Sequence, residues 1–483
     1  MRAQKAPGKA VRKAPQVAPE DRVPLRKRIA YGAGGLATGI QDRFDNGVMN
    51  PVFVVGVGFS PIVMSSCGAF YRVYDAFSDI FMGSISDNTR TRWGRRRPYV
   101  FAGAFLMAFA MPWLFQFNPA WSLLTIGVWM VIFNLLIQTT QTIYNVPYQS
   151  LLIESTPDTN ERTNVSAWRA YVGIFVGVAV SWTWWLAQRP LFHVNGEPDV
   201  LNGIKWLVIM AAIPVALLGI LPAIFMEERF YKEAKDQAKI KIKDSIRFAF
   251  TNKPFLLLIT FIFVYVGGTG LHWGLVFYVK LFYVCGGDQG LASEIAGWQG
   301  TVQAFFSVVG IPLAQRLAAS FGKMKTIVIA MVCFFFASGS TWFLLTPEAP
   351  YLSIVPFVLM GPVVTMIWVV IPSMLGDVVD YEEHRNGHRS EGIFSSVFSW
   401  MLKVAQTVST FLSGPIVVWA GYEAAKRHEL AQNLEVLTRM RILLMAIPST
   451  FIMIAAIILW FYPLNADRVQ ELRTDLENRR GKM

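Results

Sequence analysis

The sequence predicts an all-α integral membrane protein with twelve transmembrane helices arranged as two bundles of six. Three observations carry this reading. Hydrophobic residues make up 54% of the 483, charged residues only 16%, and the mean hydropathy is +0.41, values that put most of the chain in lipid. Apolar stretches of spanning length recur along the chain, and a charged segment at 227–253 divides them six and six. Twelve spans of about 20 residues use roughly half the chain, which leaves no room for a sizeable soluble catalytic or signalling domain.

Residues 1–29 carry nine Lys or Arg, with Ala and Pro and no apolar run of signal-peptide length, and read as a disordered cytoplasmic tail. The first bundle, 30–226, has spans near 30–58, 61–86, 98–117, 121–148, 165–187 and 204–226. A cytoplasmic linker, 227–253, with Glu and Lys at helical spacing, leads to the second bundle, 254–464. Its spans lie near 254–280, 291–320, 325–345, 352–376, 391–420 and 441–462, and 465–483 form a second cytoplasmic tail. With both termini inside, the tails and the loops after even-numbered spans collect 33 of the 44 basic residues. That asymmetry orients the chain in a plasma membrane and accounts for the formal charge of +12 without nucleic acid. Cys67, Cys285 and Cys333 are too far apart to suggest a disulfide framework or a metal site. The loop from Gly83 to Asp87 and on through Trp93-Gly94-Arg95 is echoed at Gly310 to Arg316 and Phe321-Gly322-Lys323. Two equivalent bundles with a midplane site between them are the architecture of a secondary transporter.

Four basic residues lie inside spans: Arg43, Arg72, Arg169 and Lys403. Arg72, Asp75 and Asp79 share one face of the second helix, with Asp75 about 21 Å below Pro61 at 1.5 Å per residue. Charges at that depth are costly, so they face a wet cavity or one another. Either they pair structurally, or the two carboxylates take a small cation or a proton, with oxygens of Ser78, Thr142 or Asn145 completing the shell. On the fourth helix Gln138, Gln141, Asn145 and Gln149 form a polar stripe; it either bonds neighbouring helices or offers the donors and acceptors that sugar hydroxyls need. The first helix carries Asp42, Arg43 and Asp45, with Asp42 a candidate ligand unless these charges neutralise one another. Trp168 is placed to stack on a sugar ring. Trp182, Trp184 and Trp185 read as an interfacial aromatic belt. Ser399 and Lys403 stack on the eleventh helix. Asp87, Arg92 and Arg96 of the first half and Asp377, Asp380 and Glu391 of the second are opposite in sign, the makings of a cytoplasmic gate.

These residues carry a family likeness. Tyr71-Arg72-Val-Tyr-Asp75-Ala-Phe-Ser-Asp79, Asp87 through Arg97-Pro98, Asn145-Val-Pro147-Tyr148, Asp377-Val-Val-Asp380-Tyr381, Lys403 and Phe461-Tyr462-Pro463-Leu464 resemble the glycoside–pentoside–hexuronide:cation symporters, the melibiose permease-like branch of the major facilitator superfamily. The likeness covers nearly all of 30–465 and implies a major facilitator fold. It also implies a cation site at Asp75 and Asp79 beside the sugar, substrate contact by Arg169, and a Lys403 that links the halves to the aspartates. The chain departs from melibiose-type members in having Asn145 in place of an aspartate and Gln149 in place of an aromatic residue. The first-helix acid of the family sits three residues nearer Tyr31 than Asp42 does. The expectation is a cation-coupled symporter of a glycoside, oligosaccharide or uronide, using Na⁺ or H⁺ and no resident cofactor, monomeric among membrane lipids. A lysolipid carrier on the same fold is the alternative. Scattered histidines and the missing soluble domain argue against an enzyme.

Overall fold

The computed structural model describes residues 22–156, 159–228, 251–386, 391–423 and 429–480. Most of the expected tail 1–29 and of the linker 227–253 lies outside these residues, as do Arg389 and the side chains of Asp42 and Glu391. The spanning helices of the first half are α1 Leu25–Met49, α2 Pro61–Asn88, α3 Arg97–Trp113, α4 Leu123–Ser155, α5 Thr159–Ser181 and α6 Val200–Gly219. Those of the second are α7 Lys253–Tyr278, α8 Gln289–Phe321, α9 Lys323–Leu344, α10 Val355–Asn386, α11 Glu391–Trp419 and α12 Leu434–Trp460. Eight are long and apolar enough to cross a membrane by themselves: α4, α6 and α7 to α12. The exceptions are all in the first half. α1, α2 and α5 carry charge along their length, and α3 has only 17 residues.

The two halves repeat one another in local detail. α1 and α7 each end in a π-helical segment, Asn50–Val57 and Val279–Val284. The loops that precede α3 and α9 each turn on a left-handed glycine, Gly94 at φ +105° and Gly322 at φ +85°, a conformation that a Cβ would disfavour. Each half also builds its own core. Phe53, Met107, Tyr144 and Val208 lie in one; Phe261, Phe334, Met366 and Ile452 lie in the other. A further helix, α13 Ala466–Arg480, occupies much of the segment expected as a tail. Leu472 of α13 is buried in the second core, and Asp475 reaches His384 of α10 at 3.4 Å.

The halves meet along two seams, α2 against α11 and α5 against α8. The tight points lie toward the face opposite the chain termini. A Cβ on Gly414 would sit 2.3 Å from the Pro61 carbonyl oxygen, and one on Gly300 would sit 1.9 Å from Ser181 Oγ. The glycines let these backbones approach. The second seam corrects the reading of Trp182 and Trp184. Trp182 lies on α8, where a Cβ on Gly297 would meet its ring at 2.6 Å, and its Nε1 donates to Thr301 Oγ1 at 2.9 Å. Trp184 is 4% exposed. These rings close a contact between bundles instead of ringing the lipid interface.

Candidate functional site

Between the bundles lies a cavity of about 820 Å³. α1, α2, α4 and α5 line it from one half, α7 and α11 from the other. The geometry at its centre follows from helical spacing. Asp75 and Asp79, one turn apart on α2, face Lys403 of α11, whose Nζ donates to Asp75 Oδ2 at 2.9 Å and to Asp79 Oδ2 at 2.5 Å. One ammonium thus bridges two carboxylates across the seam, and each of the three side chains is about a third exposed. Two like charges this close repel in a low dielectric, and a shared cation relieves them.

Hydroxyls from α4 and α2 complete the surroundings. Thr142 Oγ1 lies 3.4 Å from Asp75 Oδ1 and 3.0 Å from Ser78 Oγ, while Ser78 Oγ donates to the Asp75 carbonyl at 3.1 Å. One turn on, Asn145 Oδ1 is buried without a hydrogen-bond partner. The donor set here is carboxylate, hydroxyl and amide oxygen, which suits a hard monovalent cation better than a transition metal.

Arg72, a turn above Asp75, donates from Nε to Thr410 Oγ1 at 3.1 Å and from Nη1 to Gln406 Oε1 at 3.2 Å, both on α11. Gln138, Gln141, Asn145 and Gln149 all line the cavity, so the α4 stripe faces it along its length. Arg169 lines it from α5, its guanidinium 5.6 Å from the centre of the Tyr148 ring. Its stem lies against Gly35 of α1, where a Cβ would come within 2.6 Å of Arg169 Cγ. Tyr31 stacks on Tyr148 at 4.5 Å. Tyr31 and Tyr71 also line the cavity, with their hydroxyl oxygens buried.

Other expected residues lie elsewhere. Trp168 is outside the cavity lining, and its backbone packs against Gly32. Ser399 is exposed and also outside it. Asp42 sits in α1, but its side chain falls outside the described residues, as does that of Glu391. The described pairs of the expected gate stay within one half: Arg96 with Asp87 at 2.9 Å, and Asp377 with Lys323 at 2.6 Å. Arg92 is exposed and Asp380 half-buried.

Sequence reasoning missed Gln406, Thr410 and Ser413. With Lys403 they form a stripe at i, i+3, i+7 and i+10 on α11, running away from the termini instead of toward Ser399. It also missed Glu228, whose carboxylate accepts the backbone N–H groups of Arg95, Arg96 and Arg97 at 2.8, 2.9 and 3.1 Å. That carboxylate caps the start of α3.

The chain is 26% identical to the glucuronide carrier protein homolog of Escherichia coli (strain K12), over 85% of this chain and 86% of that protein. It is equally similar, at 26%, to the isoprimeverose transporter of Lactiplantibacillus pentosus, over 95% and 93%. Among solved structures it resembles a D-xylose–proton symporter, with TM-score 0.63 and 16% identity over 91% of this chain and 98% of that one. It also resembles an inward-facing, unoccupied bacterial homologue of the lysosomal transporter Spinster, with TM-score 0.66 and 12% identity over 95% and 99%. These structural likenesses establish the fold, a major facilitator architecture. The family model described as MFS/sugar transport protein matches residues 30–466, and the chain belongs to that family of transporters.

Proposed function

We propose that the protein is a cation-coupled symporter that moves a glycoside, oligosaccharide or uronide by alternating access, with both termini in the cytoplasm of a cell whose plasma membrane it spans. The observation that carries this is the Lys403 bridge to Asp75 and Asp79 at the wall of a polar inter-bundle cavity. It joins a cation-sensitive group to the seam that must move. A cation entering between the carboxylates replaces the ammonium and frees α11 from α2. Sugar hydroxyls, which donate and accept at once, match the amides of the α4 stripe along the cavity. Cation and sugar then favour each other's binding through one wall, which is what uphill symport requires. The names of the two relatives, one an acidic and one a neutral sugar carrier, support this substrate class.

Na⁺ is the coupling ion we favour, because Asp75, Asp79, Ser78, Thr142 and Asn145 can supply a compact oxygen shell once Lys403 withdraws. H⁺ is the second reading, since protonating one of two adjacent carboxylates would release Lys403 as well. In reconstituted vesicles at fixed pH, replacing Na⁺ with choline is expected to abolish accumulation of the transported sugar. Undiminished accumulation that collapses with a protonophore would give the role to H⁺. No uptake of any glycoside, with transport of a lysolipid instead, would overturn the sugar reading.

The polar cavity argues against a lipid-like substrate. A separate apolar groove, lined by Val57, Phe59, Val63, Leu124 and Val131, touches the cavity wall only at Cys67. It lies on the bundle surface beside α2 and α4, where lipid chains would cover it.

A further inference from the structure

We infer that the transported sugar carries an acid group, a carboxylate or sulfonate, and that Arg169 holds it. This rests on the glycoside reading above and narrows it.

The described residues that line the cavity include three cations, Arg72, Arg169 and Lys403, against two carboxylates, Asp75 and Asp79. Lys403 is bridged to both carboxylates. Arg72 is tied to Thr410 and Gln406 across the seam. Arg169 has no carboxylate within ion-pair distance among the described residues; its guanidinium rests on the Tyr148 ring. Asp42 of α1 stands seven residues beyond Gly35, the residue against which the Arg169 stem packs, and so lies about 10 Å further along the helix axis. A guanidinium at membrane depth without a counter-ion is unfavourable, and a symported cation adds to the same excess. An anionic substrate removes it. A neutral sugar leaves it in place.

The local chemistry fits an oxyanion. Arginine presents a planar fork of donors that matches carboxylate and sulfonate oxygens. Beside it stands Tyr31, held in place by stacking on the Tyr148 ring that also carries Arg169. Asn145 Oδ1, buried and unpartnered, offers an acceptor to a ring hydroxyl next to the acid. The acid end is therefore bound at the corner of α1, α4 and α5, and the rest of the sugar extends toward Asp75 and Asp79.

The test compares three matched probes on the purified full-length protein with saturating Na⁺: methyl β-D-glucuronide, its methyl ester, and methyl β-D-glucoside, with affinity read by calorimetry. The expected result is at least tenfold tighter binding of the acid than of the ester or the glucoside. Arg169→Gln is expected to bring the three within about threefold, while Arg169→Lys retains the charge and part of the preference. If Arg169→Gln does not fold, Arg169→Lys still decides, because losing the fork is expected to weaken the acid severalfold and the neutral glucoside not at all. Equal affinities in the unmodified protein, or a preference untouched by both variants, would overturn this inference and leave the glycoside reading standing. Binding of none of the three would overturn both.

Discussion

Trp182 Nε1 donates to Thr301 Oγ1 at 2.9 Å, joining the end of α5 in one bundle to α8 in the other. The indole packs on Gly297 and meets Trp298 edge to face at 5.4 Å. Gln188 Nε2 adds a bond to Ser293 Oγ at 2.8 Å on the same seam. Aromatic contacts and hydrogen bonds of this kind hold the bundles shut at the face away from the termini, and the seam must part when that face opens. Gly297→Val is expected to displace the indole, since even a Cβ there would lie 2.6 Å from the ring. The population then shifts toward conformers open at that face. With the native cysteines replaced and Ser413→Cys as reporter in the cavity wall, maleimide applied from that side should react severalfold faster. An unchanged rate would show that Trp182 does not hold the face closed.

Glu228 is a second clasp, within the first half. Its carboxylate takes three backbone N–H groups ahead of α3, while the Arg97 guanidinium caps the carbonyls of Ala223 and Ile224 at 2.6 and 3.1 Å. Glu228→Ala leaves those donors unpaired and is expected to cost about 1–3 kcal/mol, seen as a fall of several degrees in the thermal midpoint. Glu227→Ala is the comparison: its side chain is 61% exposed and pairs with Lys27 at 2.9 Å, so its effect should be the smaller of the two. Equal midpoints for both variants would remove the clasp.

The bundle count and the polar stripe of α4 could be read from the sequence because lipid imposes a strong pattern: apolar runs of fixed length, and costly charges whose spacing reveals the face they share. The Lys403 contact to Asp75 and Asp79 crosses more than 300 residues, and periodicity alone could not join them; the family likeness did. Trp182 was misread because an interfacial tryptophan and an inter-bundle one look alike in composition. Gly297, which receives it, and Gly300, which receives Ser181, signal close approach only when paired with a partner helix. Glu228 stood among the linker charges with nothing to mark it as a cap. Ser399 was placed by extending the α11 stripe in the wrong direction, a choice that helical spacing leaves open.

Thr142 separates a cation shell from a simple ion pair. Its hydroxyl lies between Asp75 Oδ1 and Ser78 Oγ, at 3.4 and 3.0 Å, and takes no part in the Lys403 bridge. Thr142→Ala is therefore expected to raise the Na⁺ concentration needed for half-maximal sugar binding about tenfold, the effect of losing roughly 1.4 kcal/mol, and Thr142→Ser to leave it unchanged. Titration of sugar binding against Na⁺ measures this directly. An Ala variant with ordinary Na⁺ dependence would take Thr142 out of the shell.

Lys403 and Asp79 can be separated into structural and coupling roles by removing them singly and together. Lys403→Ala leaves two carboxylates facing each other at the seam without their cation, and breaking a pair of this kind is more harmful than deleting both partners. Lys403→Ala is therefore expected to lower the thermal midpoint more than the double variant Lys403→Ala with Asp79→Asn, in which one carboxylate is already neutral. Stability should thus return in part when the second charge is removed. Coupling should not return with it, because the double variant has lost both the carboxylate that attracts the cation and the ammonium that the cation displaces. The double variant, like Asp79→Asn alone, is expected to equilibrate sugar down its gradient without accumulating it. Accumulation by the double variant at the rate of the unmodified protein would make the Lys403–Asp79 pair a helix tie only, and the coupling site would then have to lie among groups other than Asp79 and Lys403.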